Sequence, residues 1–287
     1  MLAQQLLNGL TLGSTYALVA LGFTLVFGIL GMINFAHGEI FMLGAYIAYL
    51  LVTAGHLDIF SALIGAIIGS AILGMIIERV SFRPLRHVSI LAPLISTIGL
   101  SIFLRSLAQI IFGAESTRFP AGIKTEFYQI GPLQISLLQI VILAISFGLM
   151  FVFQLFIKRT RVGKAMRATS ESLYTAGLLG VNVDRIILLS FALASALGGV
   201  AGVLLGLNFN AISPLMGKMV GLKGLTIIIL GGMGNITGAM VGGLFLGFVE
   251  VLSVGYLTSS YRDAVAFGLM FLILLIRPTG LFGRVVR

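Results

Sequence analysis

The chain has 287 residues, of which 59% are hydrophobic and 9% charged, with a mean hydropathy of +1.14. Soluble domains carry about 25% charged residues, so this composition excludes one and indicates an all-α polytopic membrane protein of about eight to nine transmembrane helices, some broken or re-entrant. The net charge is +9, but the basic residues flank apolar runs, and cysteine is absent; the first fact reads as topology and gives no nucleic-acid partner, the second excludes disulfides and thiol chemistry.

A span needs roughly 20 mainly apolar residues. On that template the spans lie near 5–30, 36–54, 59–78, 89–112, 137–157, 186–207, 219–233, 236–255 and 263–276. The start, MLAQQLLNGLTLG, lacks a basic n-region and a cleavage motif and reads as the first span, not a removed signal. Only Gly234–Asn235 separates the seventh span from the eighth, so one broken helix, a re-entrant element and two crossings all fit. With Trp absent, Tyr16, Tyr46, Tyr49, Tyr128, Tyr256 and Tyr261 are the expected interfacial anchors.

Orientation follows from Lys and Arg. One face would hold Arg79, Arg83, Arg86, Lys158, Arg159, Arg161, Lys164, Arg167, Arg185, Arg277, Arg284 and Arg287; the other Arg118, Lys124, Lys218, Lys223 and Arg262, with Arg105 inside a span. Twelve against five places the C-terminus and the 158–185 island in the cytoplasm. Nine crossings then put the N-terminus outside, eight put it inside.

Gly31-Met32-Ile33-Asn34 is echoed by Gly232-Met233-Gly234-Asn235, each at a break between apolar runs. Breaks in matching positions point at a transport pathway, and they make Asn34, His37, Glu39, Asn235 and the isolated carboxylate Glu250 the candidate pathway residues. Polar groups at membrane depth are costly unless they pair or line a cavity; Asn34, His37 and Glu39 at a wet interface, and Glu250 in a structural hydrogen bond, are the plainer alternatives. Glycines four apart, as at Gly9/Gly13, Gly198/Gly202/Gly206 and Gly243/Gly247, read chiefly as close helix packing. No phosphate loop, HExxH or supported Ser-His-Asp arrangement occurs, and His37, His56 and His87 are isolated. The chain is read as non-enzymatic, with no catalytic residue and no metal site.

The segment 163–180 reads as one short amphipathic helix with Ala165, Ala168, Ser172, Ala176 and Leu179 on a small face. Such a helix suits the groove of a soluble subunit or the surface of anionic lipid. Its coupling residues would be Gly163, Ala165, Arg167, Ala168, Glu171, Ala176 and Gly180.

Residues 8–46, NGLTLGSTYALVALGFTLVFGILGMINFAHGEIFMLGAY, resemble the opening of the LivH-type permeases of branched-chain amino acid ABC importers. Residues 213–250 resemble a second signature of that family, and GKAMRA (163–168) with GLLGVN (177–182) its cytoplasmic coupling segment. The resemblance spans the whole chain as a single permease domain, 1–287, with the coupling segment at about 158–185. It implies a second related permease subunit, two cytoplasmic ATP-binding subunits, an extracytoplasmic solute-binding protein, and residence in a bacterial inner membrane. ATP and magnesium would belong to the partner ATPases, with no cofactor in this chain. Urea- or amide-type and sugar permeases share parts of these patterns, and an ion-coupled transporter or channel acting alone is the rival reading.

Overall fold

The computed structural model describes residues 2–120, 126–131 and 133–283; Lys124, Arg284 and Arg287 of the basic split lie outside them. The helices, in chain order, are α1 (Leu2–Leu30), α2 (His37–Thr53), α3 (Ile59–Ile77, prolonged by a π-helical turn, Glu78–Phe82), α4 (Leu91–Phe112), α5 (Leu137–Arg159), α6 (Arg161–Glu171), α7 (Leu173–Leu178), α8 (Val183–Phe209), α9 (Met216–Gly231), α10 (Ile236–Tyr256) and α11 (Arg262–Ile276). Two small antiparallel pairs complete the chain. β1 (Thr117–Arg118) joins β4 (Ala211–Ile212), and β2 (Phe127–Ile130) joins β3 (Leu133–Ser136).

Among the described residues, seven helical segments are long and apolar enough to cross a membrane. The 17-residue α2 and the 16-residue α9 are not among them; at 1.5 Å per residue they reach about 25 Å, short of the roughly 30 Å hydrocarbon core. The nine apolar segments therefore match the expected positions, with two of them abbreviated. α9 and α10 form a hairpin in which Gly231 packs on Gly238, so the Gly234–Asn235 gap is a turn between separate helices and not a break within one.

Polar caps set the helix starts. Asp58 accepts from the amides of Phe60 and Ser61, Ser136 and Gln139 form a capping box, and Thr160, Asn182 and Asn235 cap α6, α8 and α10; each satisfies amides that a first turn leaves unpaired. Outside the membrane, the Ser61 hydroxyl and amide hold the Asp58 carboxyl below its ordinary range. α2 and α9 have no side-chain cap.

α1 is the central helix. It is apolar on every side and buried along most of its length, as a helix enclosed by others must be. α8 and α10 pack around it, while α3, α4, α5 and α11 send Ile64, Ile68, Phe103, Ile110, Phe151 and Leu275 outward. Small residues permit the closest approaches. A Cβ on Gly13 would lie 2.8 Å from the Leu244 backbone, and one on Gly247 would enter the Gly13 backbone. Tyr16 and Tyr46, expected as interfacial anchors, are buried at 2% and 1% exposure; Tyr46 stacks on Phe112 and Tyr16 belongs to a charge network described below.

The bundle has two distinct ends. One gathers the start of α1, the β2–β3 pair and the α10–α11 turn, with Gln4 donating to the Gln134 carbonyl and Gln139 to Asn8. The other gathers α6, α7, the 78–88 turn and the C-terminal segment, where Leu281 and Phe282 donate to the carbonyls of Leu230 and Gly231.

Candidate functional site: two polar centres and an elbow

The first centre lies where the chain turns back after α1. Gly31, at φ +64°, ends α1 in the left-handed region that suits glycine. Asn34 then accepts from the Ala36 amide at 3.1 Å, and Thr97 of α4 accepts from the Phe35 amide at 3.3 Å. α2 begins beside Gly22, eight residues before the end of α1, so its N-terminus sits inside the bundle. His37 is wedged there between Gly22 and Gly198, edge-on to Phe23 with ring centroids 4.5 Å apart. Both His37 ring nitrogens and the Asn34 amide nitrogen are buried without a hydrogen-bond partner among the described residues.

One turn on, Glu39 is 1% exposed, and its Oε1 accepts from Ser101 Oγ at 2.9 Å and from Arg105 Nη2 at 2.8 Å and Nε at 3.2 Å. Glu39 Oε2 faces Gly217 of α9 and has no hydrogen-bond partner among the described residues. These groups border a 250 Å³ groove between α2, α4 and α9, with Lys218 also on its wall.

The second centre joins four helices. Glu250 Oε2 accepts from Tyr16 at 2.9 Å and from Arg262 Nε at 2.7 Å, while Glu250 Oε1 pairs with Lys223 at 2.6 Å. Lys223 also meets Asp263 at 2.9 Å, and Arg262 donates to the Tyr16 oxygen at 3.0 Å. Two cations and two anions thus balance, with Glu250 and Lys223 buried and Arg262 and Asp263 partly exposed at the rim, as buried charges require. Together Glu250 and Arg262 border a 480 Å³ pocket lined also by Gln5, Asn8, Gln139 and Asn208. Lys223, expected on a loop face, is 5% exposed within α9, and it drops out of the basic count.

The third feature is the elbow between α5 and α8. The expected single helix over 163–180 is two. Ser172, at φ −161° and ψ 116°, ends α6 and caps α7 by accepting from the Thr175 amide. The small face does not survive that break. Gly163, Met166 and Thr169 face the bundle and Ala176 is buried, Ala165 is half-buried, and Arg167, Ala168, Glu171 and Gly180 are exposed. Apolar side chains replace it outside, with Leu173, Tyr174, Leu178 and Leu179 all exposed. Beneath α6 a 90 Å³ pocket connects Met166, Arg167 and Ser170 to Gly28 and Ile29 of α1 and to Gly234. Here the last turn of α1 meets the second of the echoed breaks, with a Cβ on Gly28 coming 3.6 Å from the Gly234 Cα.

Of the pathway residues expected from the sequence, Asn34, His37 and Glu39 are brought together, Glu250 lies in the second centre, and Asn235 caps α10 by accepting from the Gly238 amide while donating to the Phe282 carbonyl at 2.9 Å. The partners Arg105, Ser101, Lys223, Tyr16 and Arg262 were missed. An Arg and a Lys inside apolar runs were the available signal, because each needs a counter-charge at membrane depth.

An all-α bundle with abbreviated helices meeting inside it, buried ion pairs along them and a basic elbow on one side is the framework of a membrane permease. The chain belongs to the family described as branched-chain amino acid transport system, permease component, whose model matches residues 5–274. It is 44% identical to the high-affinity branched-chain amino acid transport system permease protein LivH of Escherichia coli strain K12, over 98% of this chain and 95% of that protein. To the corresponding permease protein BraD of Pseudomonas aeruginosa it is 45% identical over the same shares. A probable branched-chain amino acid transport permease LivH of Methanocaldococcus jannaschii is 28% identical over 93% of this chain and 88% of its own length.

Proposed function

We propose that this chain forms half of the translocation pathway of an ATP-driven importer of branched-chain amino acids. The observation that carries the reading is similarity over nearly the whole length to permeases of that substrate class. A second permease subunit completes the pathway, two ATPase subunits supply ATP and its magnesium, and an external binding protein delivers the amino acid. The chain itself performs no catalysis.

The end of the bundle that carries α6 and α7 is the cytoplasmic one in this reading. Arg79, Arg83, Arg86, Lys158, Arg159, Arg161, Lys164, Arg167, Arg185 and Arg277 collect there, and positive charge marks the inner face. The C-terminus is then cytoplasmic and the N-terminus external. The exposed apolar side chains of α7, with the exposed Lys164, Arg167 and Glu171 on the preceding α6, suit a groove on the ATPase. Force applied to α6 reaches α1 and the α9–α10 turn through Met166, since these line one pocket. The end of α1 and the α9–α10 turn would move together. A ligand shifts such an equilibrium only through different affinity for its two states.

The test is leucine, isoleucine and valine uptake in cells lacking this gene. Restoration that needs intact ATPase subunits and survives collapse of ion gradients supports the reading. Uptake by this chain alone in proteoliposomes, driven by an ion gradient, overturns it in favour of a secondary transporter.

A further inference from the structure

We propose that the groove between α2, α4 and α9 binds a zwitterionic α-amino acid with an apolar side chain, taking its ammonium at Glu39 and its carboxylate at Arg105. The assignment rests on the transport reading above and gives it a residue-level site.

The groove holds one anion and two cations. Glu39 is more than nine-tenths buried, yet its Oε2 has no hydrogen-bond partner among the described residues; a buried acceptor left empty is destabilising, and an ammonium satisfies it. Arg105 spends Nε and Nη2 on Glu39 Oε1, while its Nη1 makes no hydrogen bond among the described residues. Its side chain keeps 20% exposure, enough for a carboxylate to reach the free edge of the fork. Lys218 adds a second cation on the wall, so a carboxylate enters a site with net charge +1.

Helix geometry agrees. α2 and α9 both begin at this groove, near Glu39 and Gly217, and neither N-terminus is capped by a side chain. Uncapped N-termini of half-length helices favour an anionic group between them. The remaining wall is apolar, from Phe23, Phe35, Ile98, Ile102, Leu222 and Leu225. The 250 Å³ volume lies below the roughly 300–1,000 Å³ of drug-sized sites and suits a single small metabolite. A purely structural ion pair explains neither the empty carboxylate oxygen nor the second cation beside an apolar wall.

The experiment uses the complete permease–ATPase complex in nanodiscs, with radiolabelled leucine and no binding protein. Glu39→Gln and Arg105→Gln are each expected to weaken leucine binding tenfold or more. In the wild-type complex, 3-methylbutylamine and 4-methylpentanoate, which lack the carboxylate and the ammonium, compete at least tenfold less well than leucine. The exchanged pair, Glu39→Arg with Arg105→Glu, restores the ion pair and reverses the poles, so it assembles but binds leucine tenfold or more weakly. Wild-type leucine binding in that exchanged variant reduces the pair to a structural one and overturns the proposal. If the charge variants fail to assemble, Ile102→Trp decides: its side chain is already exposed on the groove wall, so filling the groove blocks leucine uptake in an intact complex, and unchanged uptake overturns the site. Normal amino acid import by the wild type alongside normal variants sinks only this assignment, whereas no import by the wild type sinks the transport reading itself.

Discussion

Glu250 holds three partners at once, and removing it leaves Lys223 with Asp263 and Arg262 with the Tyr16 oxygen and no paired carboxylate. Stranding a buried charge in this way costs about 3–5 kcal/mol, whereas deleting a balanced pair is close to neutral. Glu250→Leu should therefore lower the melting temperature of the detergent-solubilised protein markedly. Adding Lys223→Leu restores the balance of one cation, Arg262, and one anion, Asp263, in the cluster and should recover more than half of the loss. Equal damage from the single and double variants would mean that the network is held by shape rather than charge. The sequence marked Glu250 as an oddity in an apolar run, but its partners are 27, 12 and 234 residues away in the chain. Pairing across such distances is fixed by helix packing, which single-chain periodicity does not record. Glu39 and Arg105 were illegible as a pair for the same reason.

Among the elements, the long apolar helices are legible in the sequence because burial in lipid demands an uninterrupted run, and the seven such runs among the described residues need no neighbour to define them. The elbow was harder. Residues 163–180 carry one helical pattern, yet a single serine divides it, since the Ser172 side chain offers α7 a cap that competes with continuing α6. The face then changes from small alanines to Gly163, Met166 and Thr169 inward. Met166, 2% exposed, is the contact through which α6 grips the bundle. Met166→Asp should cut leucine uptake at least tenfold while ATP hydrolysis by the assembled complex continues, because the carboxylate cannot enter the apolar seat. Uptake that stays coupled would remove α6 from the transmission route. Glycine contacts give a second test at this scale. Gly247→Val drives a side chain into the Gly13 backbone, and forced overpacking of this kind costs about 1–3 kcal/mol or more. The expected outcome is loss of folded protein from the membrane, measured against Gly268→Val, where a Cβ meets open space.

At the scale of the whole molecule, the two ends differ in charge more than in fold. The α6–α7 end carries ten of the basic residues, whereas Arg118 and Arg262 are the basic residues described at the opposite end, because Lys223 is internal and Lys218 lies on the groove. Internalising Lys223 sharpens the asymmetry that the raw count already gave. The absence of cysteine makes that asymmetry directly measurable. A cysteine at Glu115, on the exposed segment before β1, should react with a membrane-impermeant maleimide in intact cells. One at Ser170 or Gly180, both exposed on the elbow, should react only after the membrane is opened, and the attached ATPase subunits should protect Ser170 further. Labelling of the elbow from outside would invert the molecule in its membrane. It would also separate α7 from any cytoplasmic ATPase, so the force that the buried contact at Met166 is built to transmit would have no source.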